Sequence, residues 1–255
     1  MATNNERKLK KLLDSIQPGT VCLASWLEKQ GISRDLQQYY RKSGWLESVG
    51  RGAFKRFGDS VGWYGALYGL QQQAELPLHV GGLTALVEQG YGHYLRLRED
   101  RILLFSPIGV SLPAWFKQYS WGLKVENVRT NFLPKDLGLH AVDTKTSAVT
   151  MASPERAILE CLYLAPDKMD LMECFQLLEG LPNLRPALLQ SLLVSCTSIK
   201  VKRLFLFLAE KCNHSWLSYL KLKEFDLGSG DRSITQKGHY VRKYRISVPK
   251  ELAAL

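Results

Sequence analysis

The stretch from Ser33 to Phe57 constrains the fold more than any other part of the sequence, because a short basic helix runs directly into a tight basic turn. Ser33 is placed to cap the helix, and Asp35 falls in its first turn, where the helix dipole favours an acid. Gly44 ends the helix. The Gly-Arg-Gly triplet at 50–52 then predicts a tight turn between two short strands. We therefore predict a helix followed by a β-hairpin.

This helix has two different faces at about 100° per residue. Leu36, Tyr39 and Tyr40 fall on the side that we expect to pack, and the opposite side carries polar and basic residues. Arg and Gln side chains can pair with base edges in the major groove, and basic residues of a hairpin can contact phosphates. The predicted DNA-contacting residues are Ser33, Arg34, Gln37, Gln38, Arg41 and Lys42 in the helix, with Arg51, Lys55 and Arg56 in the hairpin. A solvated polar helix face beside an ordinary hairpin is the alternative interpretation.

The residues before Ser33 favour the DNA-binding interpretation. Leucines at helical spacing predict an amphipathic helix from Glu6 to Ile16, and a second helix is predicted from Leu23 to Gln30. Gly31 supplies the turn into the third helix. Two helices, a glycine turn, a third helix and a hairpin are the order of a winged helix-turn-helix, which we assign to residues 1–60.

Charge is distributed unevenly along the 255 residues, whose net charge is +10. Residues 1–60 hold 11 Lys and Arg against 6 Asp and Glu, a net +5, and residues 195–255 hold 12 against 5, a net +7. The middle of the chain, at 11 against 13, is slightly acidic. A basic end with a helix-turn-helix pattern indicates a polyanionic partner.

Residues 61–255 predict a larger mixed α/β domain, so the fold class of the chain is α+β. A strand-containing part at 61–145 has predicted strands at Tyr94–Leu97, Arg101–Phe105 and Val125–Phe132. A helical part at 146–255 opens at Ser153-Pro154-Glu155-Arg156, with Ser as the cap and Pro at the first helical position. Further helices are predicted at 171–179, 185–195 and 201–212. A basic β-hairpin is predicted at the end of the chain, with a strand that leads into a turn at 228–231 and a second strand over 240–246.

The sequence offers no set of residues typical of an enzyme, a metal site or a cofactor site. The five cysteines are scattered without a C-x-x-C pair, and the five histidines form no ligand motif. Glu126 with Asp143 and Lys145 is too loosely spaced to indicate the carboxylates of a nuclease. No apolar run approaches the roughly 20 residues of a membrane helix, and the charged N-terminus lacks a signal core, so we expect a cytoplasmic protein without a membrane partner.

Five segments together resemble the AbiEi antitoxins of type IV abortive-infection toxin–antitoxin systems. They are the hairpin region GWLESVGRGAFKRF, then WYGALYGLQ, HVGGLTALVEQGYGHYL, SPERAILECL and the C-terminal LGSGDRSITQKGHYVRKYRISVP. Each segment is short, but their order and spacing extend over nearly the whole chain. The resemblance implies a bacterial protein of two domains.

The family implies a repressor of its own operon that is not an enzyme and that opposes a nucleotidyltransferase-like AbiEii toxin through its C-terminal domain. Within the resemblance, the helix and hairpin residues named above would bind inverted-repeat operator DNA, with two copies on a palindromic site. No short signature marks the antitoxin activity. The candidate partner or nucleic-acid surface in the basic tail comprises Arg232, Lys237, Arg242, Lys243 and Arg245.

Two alternatives stay open at the level of sequence. In the first, the chain is an interaction module that binds an acidic toxin surface directly, and DNA binding is secondary. In the second, it is a nuclease that a winged helix targets to DNA.

Overall fold

The computed structural model describes the backbone of residues 2–91, 101–144, 147–236 and 238–255, with side chains from residue 8 onward. The predicted strand Tyr94–Leu97, Lys145 and Lys237 lie outside the described residues. Helices and strands occur together, which confirms the predicted α+β class.

The α-helices of the described chain are α1 (Ala2–Ser15), α2 (Ala24–Lys29), α3 (Arg34–Lys42), α4 (Trp63–Tyr68), α5 (Gly82–Glu88), α6 (Ala114–Gln118), α7 (Pro154–Leu164), α8 (Leu171–Glu179), α9 (Pro186–Ser195), α10 (Ile199–Cys212) and α11 (Lys250–Ala254). The strands are β1 (Cys22–Leu23), β2 (Leu46–Gly50), β3 (Ala53–Arg56), β4 (His79–Val80), β5 (Arg101–Ser106), β6 (Lys124–Arg129), β7 (Leu139–Asp143), β8 (Ala148–Ala152), β9 (Arg232–Ser233), β10 (His239–Val241) and β11 (Ile246–Val248).

The chain divides into two compact units that interleave in sequence. Unit 1 comprises Met1–Leu78, Gly109–Asn127 and Ala141–Thr150, and unit 2 comprises His79–Ile108, Val128–His140 and Met151–Leu255. Our division of the chain at residue 60 stays a prediction. The interleaving matters for experiments, because a fragment cut at residue 60 separates pieces of unit 1 from one another.

Unit 1 contains the elements of a winged helix-turn-helix in the predicted order. Strand β3 lies between β1 and β2, and both pairings are antiparallel. A single apolar core joins the three helices to this small sheet; its buried members are Leu12, Ile16, Cys22, Ala24, Leu27, Ile32, Tyr40, Leu46 and Phe54. The leucine spacing of the sequence predicts this packing, although α1 begins four residues earlier than expected.

Two glycines let α4 and the π-helical turn Gly69–Gln73 pack closely against the chain that leads into β1. A Cβ atom on Gly65 would lie 1.9 Å from the carbonyl oxygen of Gly19, and one on Gly69 would lie 3.0 Å from that of Val21. The next turn carries Gln73, which accepts from the backbone N–H of Leu23 and donates to Val21. Small residues are therefore required where the two backbones approach, as the glycine-rich WYGALYGLQ segment suggests.

A five-stranded sheet has the order β6-β5-β4-β8-β7. Within unit 2, β4 pairs antiparallel with β5 and parallel with β8. Strand β5 confirms the prediction at 101–105, and β6 confirms the strand predicted from Val125, although it ends at Arg129. Strands β7 and β8 were not predicted from the sequence, and each is only five residues long.

Helix α7 is buried on almost all sides, and its charged residues are paired internally. Glu160 is fully buried and accepts from the side chains of His79 and Arg156 and from the backbone N–H of Gly82. Arg156 also donates to the backbone carbonyl groups of Pro134 and Leu137. Ser153 occupies the predicted cap position of α7, but its side chain makes no capping hydrogen bond.

The structure has a C-terminal hairpin, but its turn lies at 242–245 and not at the predicted 228–231. Strands β10 and β11 pair antiparallel, and residues 242–245, which we expected in a strand, form the turn between them. The short strand β9 joins β11 in parallel. The buried guanidinium of Arg203 links α10 to this region, since it donates to the carbonyl groups of Leu227, Gly228, Gly230 and Arg245.

Candidate nucleic-acid interface

Helix α3 begins and ends as its sequence predicts. The Ser33 hydroxyl accepts from the backbone N–H of Leu36 at 3.3 Å, and Asp35 lies in the first turn. Gly44, two residues beyond the helix, adopts a φ of +71°, which a glycine tolerates better than other residues. These local features fix the helix in front of the hairpin.

Gln37 does not lie on the exposed face of α3, so that prediction is wrong. Its side chain is 2% exposed, and its amide nitrogen donates to the carbonyl oxygens of Ala24 and Ile32 at 3.0 and 2.9 Å. Gln37 lies about 100° around the helix from Leu36, on the side of α3 that meets α2. Gln37 therefore holds the two helices of the helix-turn-helix together.

The remaining predicted residues of α3 are exposed: Ser33, Arg34, Gln38, Arg41 and Lys42. Arg34 is not a free cation, because its Nε lies 2.7 Å from a carboxylate oxygen of Glu28 on α2. The guanidinium of Arg41 lies over the ring of Phe54, 5.7 Å from its centre. Tyr39, which we expected to pack, is 57% exposed and lies beside these polar residues instead.

The hairpin of β2 and β3 forms the wing, with Glu47 opposite Lys55 and Ser48 opposite Phe54. Arg51 is exposed at the tip and Arg56 is half-buried near the base. Gly52 follows Arg51 with a φ of +79°, so the tight turn requires a glycine-like conformation there.

Lys55 is predicted to contact phosphates, but its ammonium group is already paired within the fold. Its side chain is only 13% exposed, lies 3.3 Å from the Glu47 carboxylate and donates to the carbonyl oxygen of Asp59. Because its ammonium group is paired with these two acceptors, Lys55 stabilises the base of the wing.

A groove of about 360 Å³ runs between α3 and the wing. Its lining residues are Gln38, Arg41, Lys42, Gly44, Leu46, Glu47, Ser48 and Phe57. Three of the predicted helix residues thus face one concave surface. Two exposed aromatic side chains outside the predicted set, Trp45 and Phe57, lie where the helix meets the wing. Their only signal in the sequence is their position beside the glycine turns.

The outer side of the wing is braced by a segment distant in sequence. Trp115 of α6 is 5% exposed and packs so closely on Gly50 that a Cβ atom there would lie 2.7 Å from the Trp115 Cβ. Phe116 and Trp121 continue the same aromatic cluster, and the Trp121 indole donates to the Phe116 carbonyl. Nothing in the local sequence around Trp115 specifies this contact.

The structure describes four of the five residues of the candidate surface in the C-terminal tail. Arg232, Arg242, Lys243 and Arg245 are exposed within unit 2, and Lys237 lies outside the described residues. Two of the four have acidic neighbours: Lys243 contacts Glu210, and Arg245 lies 3.7 Å from Asp231. The surface is therefore less basic than the count of Lys and Arg suggests.

No nuclease-like cluster forms from the two carboxylates considered in the sequence. Glu126 lies on β6 and Asp143 on β7, the two outermost strands of the five-stranded sheet. Since neighbouring strands lie about 4.8 Å apart, strands separated by three others cannot bring these groups to one phosphate. Among the described residues, no group of three or more His, Cys, Asp or Glu is arranged to hold a metal ion.

Two family models match consecutive parts of the chain. A model described as the AbiEi antitoxin N-terminal domain of a transcriptional regulator matches residues 5–97. A second, described as a transcriptional regulator and AbiEi antitoxin of a type IV toxin–antitoxin system, matches residues 99–249. The chain belongs to the AbiEi antitoxin family. Its members are transcriptional regulators and antitoxins, which confirms the resemblance stated from the sequence.

The fold of this AbiEi protein has a counterpart among solved structures. The crystal structure of the RV2827C protein from Mycobacterium tuberculosis superposes with a TM-score of 0.61 and 17% sequence identity, covering 96% of this chain and 90% of that one. No curated protein matches the chain. In the part of the chain that the structure describes, no helix is both long and apolar enough to cross a membrane.

Proposed function

We propose that this AbiEi protein represses its own operon by inserting α3 into the major groove of operator DNA while the wing contacts the flanking phosphates. The groove lined by Gln38, Arg41 and Lys42 supports this proposal, because Gln and Arg side chains can pair with base edges and these lie beside a basic hairpin. Arg34, Arg51 and Arg56 add positive charge around it. Two copies would bind the two halves of an inverted repeat.

The exposure of each side chain of α3 supports a narrower set of base-reading residues than the sequence predicts. Gln38 and Arg41 are exposed and face the groove, whereas Gln37 is used within the fold. We therefore assign base contacts to Gln38 and Arg41, and phosphate contacts to Lys42 and Arg51. Arg34 joins them when its ion pair with Glu28 opens.

The experiment that tests this proposal compares binding of the full chain to its own upstream DNA and to random DNA of equal length, over a salt series. Gln38→Ala and Arg41→Ala should each reduce the preference for upstream DNA by about 1–3 kcal/mol. Lys42→Ala should weaken binding to both DNAs and lower the salt slope by about 1. Lys135→Ala, an exposed lysine of unit 2, is the matched control.

Equal affinity for upstream and random DNA would contradict the proposal, as would identical losses on both DNAs from the Gln38 and Arg41 substitutions. Point variants are preferable to deletion of residues 1–60. That deletion would remove β2 from Trp115 and leave the rest of unit 1 incomplete.

We further propose that the C-terminal part opposes a nucleotidyltransferase-like AbiEii toxin, with Arg232, Arg242, Lys243 and Arg245 as the candidate contact surface. The alternative in which direct toxin binding is the primary activity rests on the same basic surface. Co-expression of the toxin with the full chain tests whether protection depends on DNA binding, since Gln38 and Arg41 variants should weaken repression and still protect. A toxin that co-purifies with the wild type and is lost with Arg232→Glu/Arg242→Glu would support direct binding.

A further inference from the structure

Unit 2 contains a pocket of about 600 Å³ that none of the predicted site residues explains. Its lining residues are Gln89, Tyr91, Gly138, Leu139, His140, Ser153, Pro154, Glu155, Asn183, Arg185 and Leu188. They come from the end of α5, the start of β7, the start of α7 and the turn before α9. Pockets of about 300–1,000 Å³ are typical of small-molecule sites.

An ion pair between Glu155 and Arg185 lines this pocket. Glu155 is 2% exposed, and its carboxylate accepts from Nε and Nη2 of Arg185, each at 2.9 Å. It also accepts from the Arg185 backbone N–H at 2.8 Å. Burial by itself would raise the pKa of Glu155, but these hydrogen bonds outweigh it and lower the pKa to about 2. The carboxylate is therefore ionised and holds the guanidinium in one orientation.

The Arg185 side chain is nonetheless 64% exposed. Glu155 occupies the Nε and Nη2 side of the guanidinium, and Nη1 makes no hydrogen bond within the described residues. The planar group has five N–H donors, so the edge formed by Nη1 and the second Nη2 hydrogen remains available. That edge matches the two oxygens of a carboxylate or a phosphate.

The neighbours of Arg185 suit an anionic ligand of organic size. Asn183 contributes an exposed amide, and burial together with Arg185 lowers the pKa of His140, which leaves a neutral imidazole able to donate one hydrogen bond. Tyr91 adds an aromatic ring that is 41% exposed. An inorganic ion would fill only a small part of this volume.

We propose that this pocket binds a small organic oxyanion, a carboxylate or a phosphate ester, through the guanidinium edge of Arg185 that Glu155 leaves available. Asn183 and His140 supply further hydrogen bonds, and Tyr91 packs against the carbon skeleton. Glu155 acts as the positioning residue, since its buried carboxylate fixes the guanidinium before the ligand arrives.

Calorimetric titration of the full chain in low-chloride buffer tests this assignment without DNA, so it is independent of the proposed repressor function. The probes are adenosine 5′-monophosphate, adenosine, citrate and inorganic phosphate. We expect adenosine monophosphate, citrate or both to bind with a dissociation constant below about 1 mM, and adenosine to bind at least tenfold more weakly than its monophosphate. Binding of the monophosphate alone identifies a phosphate ester, and binding of citrate alone identifies a carboxylate.

The matched variants are Arg185→Lys, which keeps the charge and removes the planar edge, and Arg129→Lys, the same change at an exposed arginine outside the pocket. Arg185→Lys should weaken the bound probe at least tenfold, and Arg129→Lys should leave its affinity unchanged. Asn183→Ala is a second variant, which leaves the Glu155 ion pair intact and should weaken binding several-fold without changing thermal unfolding. The proposal is overturned if no oxyanion binds at about 5 mM, if adenosine binds as tightly as its monophosphate, or if Arg185→Lys binds like wild type.

Discussion

Gly50 in the wing and Trp115 in α6, 65 residues apart in sequence, are in direct contact, with room for only a hydrogen atom between the Gly50 backbone and the Trp115 side chain. The contact fixes the strand that leads to the exposed Arg51. A regular hairpin would place its tip by turn geometry alone, whereas here the pairing of β2 and β3 shifts register between Ser48 and Gly50. The position of the wing therefore depends on a segment outside the first 60 residues.

Gly50→Ala should destabilise the protein by about 1–3 kcal/mol, because the added Cβ meets Trp115 close to the backbone, where neither group can move easily. It should also weaken binding to upstream DNA, since the wing tip shifts. Chemical denaturation and the DNA titration measure the two effects. Gly52→Asn is the control: nothing lies within 4 Å of a Cβ at this position, and asparagine tolerates its positive φ. A Gly50→Ala variant as stable as wild type would show that the contact does not constrain the wing.

Gln37→Ala should lower the free energy of unfolding by about 1–3 kcal/mol, because the buried carbonyl groups of Ala24 and Ile32 lose their donor. Gln38→Ala, one residue further along α3, should leave stability within about 0.5 kcal/mol of wild type and change DNA preference instead. Urea unfolding of both variants distinguishes a structural residue from a DNA-contacting one. The opposite pattern would restore Gln37 to the DNA-facing set.

Glu28→Gln should strengthen DNA binding, because it releases Arg34 from its 2.7 Å ion pair at the start of α3. One additional cation near the phosphates should steepen the salt dependence by about 1. The double variant Glu28→Gln/Arg34→Ala is the control and should remove the gain. Unchanged affinity in Glu28→Gln would indicate that Arg34 does not reach DNA.

Stability should fall between about pH 4.5 and pH 2 partly because of Glu155. Its pKa is about 2 in the folded protein against a reference value of 4.5, so its contribution is complete above the unfolded pKa and is lost as pH falls through the folded pKa. Allowing for the exposed Arg185 partner, we expect a loss of about 2 kcal/mol. Thermal unfolding of wild type and Glu155→Gln over this range measures it. Curves that stay parallel would contradict the role of this carboxylate.

Arg203→Lys should loosen the C-terminal hairpin, because a single ammonium group cannot donate to four carbonyl groups in the plane that the guanidinium serves. Amide hydrogen exchange across residues 227–248 should increase while exchange in α1 to α3 stays unchanged. Unaltered exchange in the hairpin would show that its own strand pairing is sufficient.

Much of the local structure follows from the sequence because its causes are local. The cap at Ser33, the glycine at Gly44 and the turn after Gly50 act through neighbouring backbone, and each is where the pattern predicts. Leucine spacing likewise predicts the core of unit 1. The assignment of Gln37 and Lys55 failed because a polar side chain that satisfies a buried backbone group and one that faces solvent have the same spacing in a sequence.

The sequence by itself determined the winged helix-turn-helix, the α+β class and membership of the AbiEi family, since these depend on periodicity, turn residues and short segments in a fixed order. Only the tertiary structure decided which donors of α3 are available, that Trp115 braces the wing, and that Glu155 and Arg185 meet 30 residues apart. Such contacts join residues distant along the chain, and their partners are chosen by the packing of whole elements rather than by the local pattern.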